Sequence, residues 1–395
     1  MTLATLLRTF QQYDCDVRNI VFSPDGLLFA PIPSDGGCIS FYHTFTGDLQ
    51  STTANYHEII WDIQFSSNDN LVLIVYDDGI ARLYNTNTGG LVREFTDTSE
   101  DGYERMFAAM FTPDGESIVT GTDIVQVWDV NTGELEHSLL HTGDRDNLPV
   151  ASIEAMTNVI MDSHEIWSLD FSPDDKFLVS ASSKTATLRL WDTRTWTLEF
   201  ETNGRNLFFS PDGKTFMTAG GANGIKLWST ETLTLRQAFQ GESPRFSPDG
   251  RIVATRAGSH KIDLWDVETG HLKHALCGYG TNLPSILFTP NSQKLASKSG
   301  RIVHIWDIAT GQLEYLLEGH GRLIHTFVMT PAGNVLATGS RDHSVRLWDI
   351  DTGVCLQVLE GHKDEVYGVQ FSPDGSRFTT SSEDGTVFLW KIEKR

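Results

Sequence analysis

The chain has 395 residues, 39% of them hydrophobic and 21% charged, which suits a soluble globular protein able to bury one large core or several small ones. Its 52 Asp and Glu outweigh 30 Lys and Arg, for a net charge of −22. That charge repels a phosphate backbone, and with no basic run to offset it nucleic-acid binding is not expected. The longest apolar runs are strand-sized, which argues against a membrane span. The four cysteines, Cys15, Cys38, Cys277 and Cys355, include no C-x-x-C pair. Neither a disulfide framework nor a structural zinc site is indicated, and a cytoplasmic setting is expected.

The opening residues "MTLATLLRTF" lack a basic stretch ahead of the apolar ones and a small-residue cleavage site, so no secretory leader is expected. The segment "LLRTFQQYDCDVRNIVF" aligns without gaps on "CLQVLEGHKDEVYGVQF" near the other end of the chain. Leu7 falls on Leu356, Phe10 on Leu359, Asp16 on Glu365 and Val17 on Val366. A strand from about Thr5 to Gln12 is therefore expected to serve the last unit of a repeat.

The repeat itself starts at Phe22. Phe-Ser/Thr-Pro-Asp-Gly recurs at Phe22, Phe111, Phe209, Phe246 and Phe371, with degenerate copies at Phe65, Phe171, Phe288 and Met329. A second signature, of the form "LWDIDTG", follows each copy and centres on Tyr42, Tyr84, Trp128, Trp191, Trp228, Trp265, Trp306, Trp348 and Trp390. Each unit reads as four short strands. In the last one "VYGVQF" precedes a Pro-Asp-Gly turn, "RFTTSS" follows, and "EDG" turns into "TVFLW". A fourth strand such as "VCLQVLE" begins after Thr-Gly. The fold class expected is all-β: small antiparallel sheets that bury their faces only by stacking.

One interval departs from the others. Trp128 and Trp191 are 63 residues apart, whereas the other intervals run from 37 to 44. The surplus falls in an insertion of about 141–163, where Asn147 before Pro149 offers a helix start. Val150, Ile153, Met156 and Ile160 share one helical face, so a short amphipathic helix is expected. It could be a lid, a handle for a partner or a neutral surface insertion.

"EGHGRLIHTFVMTPAGNVLATGSRDHSVRLWD" and "EGHKDEVYGVQFSPDGSRFTTSSEDGTVFLW" carry a Gly-His, a turn Asp and a Trp in the places where the chain resembles the WD40 repeat family. The resemblance covers nearly the whole chain. It implies a single domain over 1–395, a closed β-propeller of nine four-stranded blades with eight as the alternative, sealed by the N-terminal strand. It also implies a buried hydrogen-bonded network. This is complete only for His320, Ser340 (or Thr338), Asp342 and Trp348, and for His362, Ser382 (or Thr380), Asp384 and Trp390. Elsewhere the Asp position holds Gly36, Thr122, Thr185, Ala222, Ser259 or Gly300, with Asp78 and Tyr84 a partial copy. A network that repeats along the chain reads as architecture and not as a hydrolase triad.

No G-x-S-x-G elbow, phosphate loop or H-E-x-x-H helix occurs, and the histidines lack metal-ligand spacing. No enzyme activity, cofactor or metal is expected. What remains is surface. In propellers of this family partners commonly dock at the channel mouth, and one position there lies four residues before the Phe of Phe-Ser-Pro. It reads Arg18, Trp61, Phe107, Trp167, Arg205, Glu242, Pro284, His325 and Tyr367. Arg18, Trp61, Phe107, Trp167 and Tyr367 form the candidate partner-binding set, because aromatics and Arg are enriched at binding hot spots. Strand alternation instead puts this position on the side of the core residues at −2 and 0. Both readings stand at this stage.

The function expected is a protein–protein interaction scaffold, a monomer with peptide or protein partners and a preference for basic ones drawn by the acidic surface. The alternative is a gating or sensor propeller acting with a catalytic domain on another chain, since "FSPDG" also occurs in propellers that accompany peptidases.

Overall fold

The computed structural model describes residues 3–11, 15–56, 58–67, 70–96, 106–140, 166–183, 185–221, 224–258, 261–277 and 285–393. The insertion at 141–163, with the helix expected in it, lies outside the described residues. Among those described the chain is all-β, and it forms nine four-stranded antiparallel sheets, the blades of a β-propeller, rather than eight. Two compact units hold them. Residues 1–55 with 240–395 carry blade one and blades six to nine, and residues 56–239 carry blades two to five.

The chain ends meet in one sheet. Strand Ala4–Gln11 pairs antiparallel with Thr386–Ile392 and supplies the outer strand of blade nine, one residue earlier than the sequence suggests. Ala4 lies opposite Ile392 and Phe10 opposite Val387. Phe10 then enters a core with Val17, Ile20, Phe29, Tyr42, Val387 and Leu389, so blades nine and one share a cluster. The side chain of Gln357 in blade eight holds the same strand: its Oε1 accepts from the amides of Leu3 and Ala4 (2.7 and 2.8 Å), and its Nε2 donates to the Ala4 carbonyl (3.0 Å).

The Phe-Ser-Pro-Asp-Gly turns owe their shape to a buried hydroxyl. Ser23 Oγ donates to Asp25 (2.7 Å) and accepts from the Leu28 amide (2.9 Å), while Gly26 takes a left-handed φ of 71°. Ser372 and Asp374 repeat the bond at 2.6 Å, which explains the recurrence of this string along the chain.

Adjacent blades are latched at their rims. A residue of the outer strand, the third in most blades and the fifth, Arg8, in blade nine, presses on the Thr-Gly turn of the next blade. Arg93 donates to the Asn131 carbonyl at 2.6 Å, His274 Nε2 lies 3.0 Å from the Ala309 carbonyl, and Arg8 donates to Asp48 at 2.7 Å. Tyr315 closes on Gly353, where a Cβ would lie 2.6 Å from the ring. Two blades lack the glycine. There Trp196 and Leu233 themselves take a φ of 55°. Trp196 sits 5.6 Å from the His137 ring, and Leu233 joins the apolar cluster of Phe200. Apolar contact offsets the backbone strain at these two turns.

Gly353→Ala should lower the melting temperature more than Gly258→Ala. Both positions need a left-handed backbone, with φ of 69° and 70°, a strain of about 1 kcal/mol for alanine. Only Gly353 also has a neighbour in the way, since nothing lies within 4 Å of a Cβ at Gly258. Equal losses in thermal melts of the two variants would contradict the latch.

Candidate functional site

The third strand of most blades ends in a Trp whose indole N–H is buried and must find an acceptor. In every case it finds a hydroxyl on the second strand: Trp128 with Thr120, Trp191 with Ser180, Trp228 with Thr218, Trp265 with Thr255, Trp306 with Ser297, Trp348 with Thr338 and Trp390 with Thr380, all at 2.9 to 3.1 Å. That hydroxyl keeps a proton of its own to place. In blade eight Thr338 donates it to His320 Nε2 (2.8 Å), and His320 Nδ1 donates to Asp342 (2.8 Å). Thr338 and not Ser340 is thus the linking hydroxyl. Ser340 instead donates to the Leu323 carbonyl (2.9 Å), because its position falls at the strand end beside the loop.

Blade nine differs in one link. His362 Nε2 meets Thr380 (2.8 Å), but its Nδ1 meets Thr386 (2.9 Å), whose hydroxyl donates to Asp384 at 2.5 Å. Ser382 accepts from the Asp384 amide (3.2 Å) and stands outside the His–Trp chain, as Ser340 does. In blade six, which has no such histidine, Thr255 donates to the Gln240 carbonyl at 2.9 Å. Blade two substitutes a different chemistry. Tyr84 meets Tyr76 hydroxyl to hydroxyl at 3.3 Å, and the Arg82 guanidinium lies 4.0 Å over Tyr56 while pairing with Asp78 (2.7 Å) and Glu94 (2.8 Å).

Charge in this network is fixed by its surroundings. Burial pushes the His320 imidazole below its ordinary value despite Asp342, so it is neutral with its proton on Nδ1. Desolvation opposes ionisation of Asp342, yet the Ser344 hydroxyl, His320 and the Gly321 amide hold its carboxyl at about 2. Asp384 is likewise held well below the carboxylate range, against desolvation, by His362, Thr386 and the Lys363 amide.

In five blades the position four residues before Phe-Ser-Pro is a β-bulge. In blade two Ile60 lies opposite Tyr76 and Asp62 opposite Val75, which leaves Trp61 unpaired. The same slip places Arg18, Trp167, His325 and Tyr367 outside the ladder. A bulge inserts one residue and inverts the alternation beyond it, so the side chain turns away from the core. Trp61 is 51% exposed and Trp167 40%, while the flanking Ile166 and the corresponding Val17 and Val366 are fully buried. The bulge decides between the two readings of alternation. Its mark in the sequence is apolar residues at −5, −2 and 0, as in Val366, Val369 and Phe371, a spacing of three and then two.

Trp61, Phe107 and Trp167 lie in the unit of residues 56–239, and Arg18 and Tyr367 in the other. Trp61 packs edge to face with Phe107, rings 5.9 Å apart at 74°, and its indole N–H donates to Asp77 at 3.0 Å. Tyr367 is half-buried against the His325 ring at 4.7 Å, and its hydroxyl donates to Glu383 at 3.1 Å. Desolvation and Glu383 push that phenol up to about 12. Glu365 accepts from His325 (2.8 Å) and Arg341 (2.7 Å), which keep its carboxyl below the usual range. The side chain of Arg18 is outside the described residues. Among those described no group of three His, Cys, Asp or Glu could hold a metal ion, and no helix is long and apolar enough to cross a membrane.

Residues 157–192, 311–349 and 353–391 match the family described as WD domain, G-beta repeat. No curated protein matches the chain. Solved structures match in quantity, 1877 chains, as befits an architecture that hosts many functions. Among them is the crystal structure of the computationally designed Ika8 protein, 22% identical, covering 98% of this chain and 99% of that one with a TM-score of 0.59. At that identity the likeness is one of fold.

Asp342→Asn should cost about 2 kcal/mol at pH 7. The folded carboxyl titrates near 2 and the unfolded one near 3.8, so the contribution is complete above about pH 4 and is lost as the pH falls toward 2. Denaturation of parent and variant across that range should show the gap closing. A gap that stays constant would contradict the network.

Proposed function

Because the chain is a WD-repeat β-propeller protein, we propose that it is a non-catalytic scaffold binding peptide or protein partners on the face where the inner strands begin. The observation that carries this reading is the exposure of Trp61 and Trp167, large aromatics held out of the core by the backbone itself. A tryptophan that is exposed in the free protein and gains a partner pocket is a common binding hot spot. The net charge of −22 adds long-range attraction for basic partners and raises their encounter rate.

The test is quantitative capture from native lysate by the parent and by a Trp61→Ala/Trp167→Ala variant. Both side chains are exposed, so the variant should melt close to the parent. Truncating two hot-spot residues should weaken specific partners by roughly thirtyfold or more, equivalent to about 2 kcal/mol. Unchanged retention of all partners by a well-folded variant contradicts the reading, and so does a collapsed melting temperature.

A further inference from the structure

We propose that blade two binds a cationic side chain, an arginine or lysine of a partner peptide, on the exposed face of Trp61, with Asp77 and Asp62 as its counter-charges. This rests on the scaffold reading and names the chemistry of its partner. Trp61 is already oriented for such a ligand. Phe107 braces one side of the indole and Asp77 accepts its N–H, so a carboxylate sits at the ring edge while half the side chain stays open. A cation over an indole face gains from the ring quadrupole, and more so beside a carboxylate.

Among the described residues no cation pairs with the acid next along the strand. Asp62 accepts from the amide of Ile63 at 2.9 Å. Its side chain is exposed, yet desolvation by the surrounding protein holds its carboxyl above the ordinary range. Asp170, three residues beyond Trp167, is raised in the same way with only the Phe171 amide opposing. The two arginines of blade two do not relieve Asp62, because Arg82 is engaged by Asp78 and Glu94 and Arg93 by the Asn131 carbonyl. Both acids therefore present charge that an incoming guanidinium or ammonium group would compensate. The same blade carries an internal instance of this recognition, since Arg82 stacks 4.0 Å over Tyr56 with two carboxylates beside it. Charge complementarity selects a basic segment over an acidic or neutral one.

The experiment labels the tryptophan indole nitrogens and titrates the full chain with a hexa-arginine peptide, using hexa-citrulline and hexa-glutamate as counterparts. The Trp61 indole resonance should shift saturably with hexa-arginine alone, while that of buried Trp348 stays in place. An Asp62→Asn/Asp77→Asn variant, in which the new carboxamide oxygen at position 77 can still accept the indole N–H, should bind hexa-arginine at least tenfold more weakly. A stationary Trp61 resonance, an equal response to hexa-citrulline or hexa-glutamate, or undiminished binding by this carboxamide variant would overturn the proposal. If the carboxamide variant still captures the partners that Trp61→Ala/Trp167→Ala loses, the cation site falls and the scaffold reading stands. Retention of those partners by the double Ala variant removes the scaffold reading itself.

Discussion

A buried indole N–H has no water to turn to, and much of the blade architecture is an answer to that demand. Seven tryptophans on third strands donate to a Ser or Thr of the second strand, which locks two strands together at the level of a side chain as well as a ladder. The hydroxyl then needs an acceptor for its own proton. His320 and His362 supply one in two blades, and a backbone carbonyl serves Thr255. The histidine and aspartate are elaborations of a bond that persists without them. Blade two shows the limit, where tyrosine pairs with tyrosine and a stacked arginine takes the remaining charge.

The same economy of small sheets explains how an apolar residue comes to face solvent. The inner strand must bury its residues at −5, −2 and 0 against neighbouring blades, and regular alternation cannot do so with that spacing. In five blades one residue is extruded, and it is the residue at −4. Blades two and four display tryptophan, blade eight histidine and blade nine tyrosine, so the surface chemistry can change from blade to blade while the core pattern stays fixed. The proposed scaffold function rests on this separation of display from packing.

Much of the fold was legible in the sequence because its signals repeat. Nine copies of the Phe-Ser-Pro turn and nine third-strand aromatics matched nine sheets, and the likeness of residues 6–22 to 355–371 located the strand that completes blade nine. The site was legible only in part. Position −4 stood out, but strict alternation obscured which way it points, since a single bulge reverses every parity argument beyond it. Ser340 and Thr338 sit two apart on one face of a strand, and only the reach of the Trp348 indole separates them. The rim latches were invisible for a different reason. Arg93, His274 and Tyr315 share no chemistry, only the geometry of lying over a left-handed turn.

The measurement closest to the central claim is the solvent exposure of individual tryptophans in the folded chain, read as relaxation of fluorotryptophan resonances by a soluble paramagnetic agent. The bulge account predicts fast relaxation for Trp61 and Trp167 and slow relaxation for Trp191, Trp348 and Trp390, whose indoles are buried and bonded. Relaxation of Trp61 and Trp167 as slow as that of Trp348 would return them to the core, where simple alternation puts them, and would leave the proposed binding face without the two exposed tryptophans that carry it.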